Sequence, residues 1–175
     1  MKLYRKNQQI ERIVITAIIA AMYVILTGVS SIFGLSYFGI QFRISEALTI
    51  LPVFSPYAIA GLTLGCFISN LASPLGLIDI VFGTLSTFIS AYLTRLLANI
   101  KFKQIPILAP MPPVIVGASF IGTILAVLLP TGFDLYAFIF FAISVGIGQF
   151  AVCYGLGIPL FLLIKRLKIF KNTES

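Results

Sequence analysis

The chain contains no histidine, only two cysteines and only five acidic residues in 175. Lack of histidine removes the commonest general base and metal ligand, and no glycine-rich loop ending in Lys-Ser or Lys-Thr is present to cradle a nucleotide. Cys66 in "LGCFI" and Cys153 in "AVCYG" lie far apart in apolar surroundings, so they offer neither a metal cluster nor a disulfide framework. These absences argue against a membrane enzyme. No metal or cofactor is expected in this chain, and any ATP consumed must be hydrolysed by a partner.

Apolar surface is in excess. With 59% hydrophobic residues, 10% charged residues and a mean hydropathy of +1.10, the chain carries more than one water-soluble core of this size can hide. The bilayer is therefore the expected solvent. Apolar runs extend over 13–29, 80–93, 114–129 and 137–164, and the last exceeds the roughly 20 residues needed to span a membrane. The basic leader before the first run has no small-residue cleavage site after it, and the run is long enough to span, so it reads as a first helix rather than a signal peptide.

The net charge of +7 is not distributed as a nucleic-acid surface would be. Lys2, Arg5, Lys6 and Arg12 precede the first apolar run, Arg95, Lys101 and Lys103 mark a middle connection, and Lys165, Arg166, Lys168 and Lys171 follow the last run. By the positive-inside rule these segments are cytoplasmic, which requires an even number of crossings in each half. Pro52 and Pro56 split the stretch from Arg43 to Ala72, because proline removes a donor and biases its predecessor away from helix. The expectation is a single all-α integral membrane domain over 1–175, multi-pass in the cell membrane, with both termini cytoplasmic. Its six transmembrane helices fall at about 12–32, 43–54, 57–72, 78–98, 113–130 and 135–166. The second is short for a crossing, since twelve residues of α-helix cover only about 18 Å.

This topology gathers the few polar residues at one depth. Gln41, Arg43 and Glu46 fall at the outer end of the second helix, Asn70 at the outer end of the third and Asp79 at the start of the fourth. Ionisable groups at such depths usually face a bundle interior or a water-filled cavity, so a pocket for a polar solute open to the outside is expected. Each residue also has a plainer reading. Arg43 and Glu46, three apart, can pair with each other on one helix face; Asp79 can complement a helix N-terminus; Asn70 can cap the third helix. Gln149, about mid-membrane and flanked by Gly146 and Gly148, suits either an interhelical hydrogen-bond post or the pocket floor. Phe33, Tyr37, Phe38 and Phe42 suit interfacial anchoring or stacking on a flat heterocycle, with Gly34 and Gly39 giving their loop hinge freedom.

On the first helix, "ITAIIAAMY" sets Ala17 and Ala21 four apart with Ala20 beside them, a smooth strip that another helix can approach closely. The strip resembles the alanine motif by which S components of energy-coupling factor (ECF) transporters dock on their transmembrane coupling subunit. More specifically, "QFRISEALTILPVFSPYAIAGLTLGCFISNL", "DIVFGTLSTFISA", "LAPMPPVIV" and "SVGIGQFAVCYGLGIPL" resemble the signature blocks of the queuosine-precursor transporter (QueT) family over about residues 10–165. The resemblance implies a six-helix S-component bundle that captures a 7-deazaguanine such as prequeuosine or queuine. It also implies a partner module made of a coupling subunit and two ATPase subunits. The ligand's ring N–H and exocyclic amine would suit Glu46 or Asp79, and its carbonyl oxygen would suit Arg43, Gln41 or Asn70. The outer acids Glu46, Asp79 and Asp134 outnumber Arg43, which favours a cationic or neutral solute. An S component for another vitamin, a stand-alone carrier and a membrane scaffold protein are the alternatives, and nucleic acid is not an expected partner.

Overall fold

Prolines and glycines punctuate an otherwise continuous apolar chain: Pro56 and Pro110 stand at helix N-caps, and Gly34, Gly76 and Gly132 occupy turns with positive φ. The computed structural model describes residues 2–34, 42–130 and 132–167, with side chains from residue 9 onward. Helix α1 covers Lys2–Ile32; a 3-10 helix, Ile44–Val53, leads through "FSP" to α2, Tyr57–Asn70. A π turn, Asp79–Gly83, continues directly into α3, Thr84–Leu97; α4 covers Met111–Val127, α5 Leu135–Gly155 and α6 Gly157–Leu167. The bend between α5 and α6 has a local cause: Pro159 has no N–H to close the helical turn, and Gly155 and Gly157 flank the break. Taking α5 with α6 as one passage, the chain runs back and forth six times, and no strand is present among the described residues.

Three of these passages are long apolar spans, Gln9–Ile32, Asp79–Leu97 and Leu135–Leu167; Ile44–Val53, Tyr57–Asn70 and Met111–Val127 are shorter apolar helices. The second passage departs from the α-helix expected at about 43–54. Its 3-10 winding rises about 2.0 Å per residue, so ten residues extend about 20 Å rather than about 15 Å. So long a 3-10 run is unusual, and here it is enclosed: every residue from Ser45 to Pro52 is buried. The Arg43 carbonyl accepts from the Glu46 N–H at 2.9 Å, and the Thr49 hydroxyl donates to the Glu46 carbonyl at 2.6 Å.

The distribution of polarity is inverted relative to a water-soluble protein. Ile13, Ile25, Phe140 and Ile147 are exposed, whereas Arg43, Glu46, Asn70, Asp79 and Gln149 are buried. In hydrocarbon no hydrophobic force holds the helices together, so close backbone approach must do so. Gly61 and Gly65, spaced four apart on α2, provide it: a Cβ at Gly65 would stand 2.6 Å from the Tyr23 Cβ and 2.9 Å from the Ala20 carbonyl on α1. Gly122 plays the same part between α4 and α5, where an added Cβ would stand 3.0 Å from Ala142.

Arg12, Arg95 and Lys165 mark one end of the bundle. Arg12 lies over the Tyr57 ring, Arg95 donates to the carbonyls of Pro52 and Val53, and the Lys165 ammonium donates to the Gln104 side chain at 2.9 Å. The Phe54 and Phe161 rings stack at 4.9 Å between them. Helix α1 enters and α6 leaves at this end, while the turns at Gly34, Gly76 and Gly132, all with positive φ, lie at the other.

Candidate functional site

The 3-10 helix sits among α1, α3, α5 and α6 and carries the polar block of the sequence into the interior. On the α1 side its residues are held by a ladder of hydroxyls. Ser30 accepts from the Ile44 N–H at 3.0 Å, Thr27 donates to the Ser45 hydroxyl at 2.8 Å, and the Tyr23 hydroxyl donates to Glu46 Oε1 at 2.6 Å. Tyr23, Thr27 and Ser30 recur at helical spacing on one face of α1, which is why three consecutive residues of the 3-10 helix find partners there. Sequence reading missed all three, although a hydroxyl every three or four residues in an apolar helix is a visible signal.

The other side is organised around Asn70. Its Oδ1 accepts from Arg43 Nη2 at 2.5 Å, and its Nδ2 donates to the Asp79 carbonyl at 2.9 Å. One amide thus joins the 3-10 helix, the end of α2 and the π turn, so Asn70 is committed to this network rather than to capping α2. Asp79 is completely buried, makes no capping bond, and both its carboxylate oxygens lack a hydrogen-bond partner among the described residues. Arg43 lies within electrostatic reach of both Asp79 and Glu46. Counted as ionised groups, one cation and two carboxylates leave this enclosed cluster one positive charge short. Buried charge without compensation is costly, so the arrangement suits a site rather than a scaffold.

Gly83 is required where it stands. A Cβ there would come within 2.7 Å of Asn70 Nδ2 and 2.8 Å of Asp79 Oδ1. The π turn places Asp79 and Gly83 against the same amide, and such turns recur at functional sites. Below it, Ser86, Thr87 and Ser90 of α3 line a narrow gap together with Arg43, Glu46 and Gln149. The gap has room for about one water molecule. A larger groove beside Phe82, Phe120 and Ile124 is almost wholly apolar, with the Ser119 and Thr123 hydroxyls as its polar groups and no charged side chain in its lining.

Among the residues singled out from sequence, Arg43, Glu46, Asn70, Asp79 and Gln149 are thus brought together in the interior. Phe42 is half-buried beside Arg43, and Gln41, Tyr37 and Phe38 lie outside the described residues. Asp134 stands apart, its carboxylate accepting from the Ala137 N–H as the N-cap of α5. On α1, Ala17 and Ala21 are exposed, while Ala20 is buried against α2, so the three alanines do not share one face.

The QueT transporter family model matches residues 13–166. A relative, the queuosine precursor transporter QueT of Lactococcus lactis subsp. cremoris (strain MG1363), is 40% identical over 99 residues, 57% of this chain and 57% of that protein. The matched part therefore spans little more than half the relative's length. No solved structure matches the chain. The family is one of transporters, not enzymes, and the apolar helices make this a multi-pass membrane protein. With nearly all of its apolar body matched, the chain belongs to the QueT transporter family.

Proposed function

We propose that this chain is the substrate-binding S component of an ECF transporter, taking up a queuosine precursor, a 7-deazaguanine such as prequeuosine or queuine. The relative's name supplies the substrate class. The observation that carries the reading to this chain is the enclosed cluster of Arg43, Glu46, Asn70 and Asp79 in a protein otherwise poor in polar groups. Glu46 keeps one carboxylate oxygen on Tyr23 and turns the group toward the gap, where a ring N–H and an adjacent amine are suitable donors. Arg43, held by Asn70, supplies the donor for a carbonyl oxygen. The basic end faces the cytoplasm and the turns at Gly34, Gly76 and Gly132 face outward. Phe42, half-buried beside Arg43, covers the ligand from that outer side.

Transport then follows from reorientation. A coupling subunit engages the exposed Ala17 and Ala21 of α1, and two ATPase subunits drive the movement that opens the pocket inward. Because the gap holds only about one water molecule, capture requires the 3-10 helix or the π turn to move aside. Uptake of labelled prequeuosine in cells expressing the chain with and without an ECF module tests this assignment. Uptake only with the module is expected, whereas module-independent uptake would identify a stand-alone carrier.

A further inference from the structure

Gln149 of α5 faces Gly117 of α4, and the contact is so close that a Cβ at position 117 would overlap the Oε1, Nε2 and Cδ atoms of the amide. The glycine is the seat on which the amide lies. Gln149 is only 6% exposed, and its Oε1 has no hydrogen-bond partner among the described residues. A buried amide oxygen without a protein partner is unfavourable, and native proteins rarely keep one without a reason. This one lines the same gap as Arg43 and Glu46 but comes from a different helix.

We infer that Gln149, seated on Gly117, is the specificity-determining residue for the far edge of the ligand: it accepts the pyrrole N–H of a free deazaguanine base. The inference rests on the deazaguanine reading above. When a carboxylate holds the ring N–H and exocyclic amine of such a base, the five-membered ring and its N–H project to the opposite side. A neutral acceptor suits that position, since it adds no charge beside Glu46 and Asp79. In a nucleoside the same nitrogen carries a sugar, which removes the donor and adds bulk. The Gln149–Gly117 pair therefore admits bases and rejects nucleosides.

Calorimetry on the full-length chain in detergent, with 7-deazaguanine and its 9-methyl derivative as probes, tests this. The wild type is expected to prefer the unmethylated base by at least about tenfold, because a site built around a donor rejects an analogue lacking it. Gln149→Leu should erase that preference mainly by weakening the unmethylated base, while Gln149→Glu, which keeps the acceptor, should retain it. Gly117→Ala should weaken the base in the wild-type background but change little in Gln149→Ala, where the displaced amide is gone. Equal binding of the two probes to wild type, or a preference that survives in Gln149→Leu, overturns the inference and leaves the deazaguanine reading standing. A folded wild type that binds neither probe removes both.

Discussion

Glu46 is enclosed with one oxygen already engaged by Tyr23, so its orientation depends on a hydroxyl 23 positions away in sequence. Tyr23→Phe keeps the packing and removes only that donor. It should lower stability by about 1–3 kcal/mol, the cost of leaving a buried acceptor unsatisfied, and weaken ligand binding at the same time. Thermal unfolding and calorimetry on the same preparation check both effects, and an unchanged midpoint with unchanged affinity would show that Tyr23 does not position Glu46. Asp79 should behave oppositely. Its carboxylate has no hydrogen bond to lose among the described residues, so Asp79→Asn should leave the unfolding midpoint nearly unchanged while binding falls. A large loss of stability in that variant would make Asp79 a structural partner of Arg43.

Elements, more than residues, show what the sequence discloses. The break at Pro52 and Pro56 and the basic connection around Lys101 are local signals, and from them six passages can be read. The winding of the second passage is not local: "ISEALTILPV" has no helix breaker before its proline, and the 3-10 form depends on neighbours on every side that bury Ser45 through Pro52. Arg43, Glu46, Asn70 and Asp79 were legible because ionisable and amide groups are rare here; Ser86, Thr87 and Ser90 were not, because hydroxyl residues are tolerated in any apolar helix, and only the spacing of Tyr23, Thr27 and Ser30 offered a signal. The Gly61–Gly65 spacing on α2 was also available as a packing signal. Gly65→Leu should force α1 and α2 apart and destabilise the protein by about 1–3 kcal/mol, the usual cost of overpacking. Gly28→Ala, where an added Cβ meets nothing within 4 Å, should be neutral or slightly stabilising. Comparable unfolding midpoints for the two variants would contradict the close α1–α2 contact.

At the scale of the whole molecule, α1 links two surfaces. Its inner face holds Ser45 and Glu46 through Thr27 and Tyr23, and its outer face exposes Ala17 and Ala21. Ala17→Trp and Ala21→Trp should therefore abolish uptake through the coupling subunit while leaving ligand affinity within about twofold, since additive surface changes rarely exceed about 0.5 kcal/mol. Ala20→Trp should instead damage the fold, because Ala20 packs against α2. Loss of binding in the Ala17 or Ala21 variants would mark those positions as internal packing. The central claim is that the buried cluster is a deazaguanine site anchored by Glu46. Its most direct test is calorimetric titration of the purified chain and of Glu46→Gln with prequeuosine, queuine, guanine and a vitamin panel. The account predicts tight binding of a deazaguanine by wild type and a loss of at least about tenfold, or about 1.4 kcal/mol, in Glu46→Gln. Equal affinity in the two proteins, or binding of a vitamin alone, would contradict it.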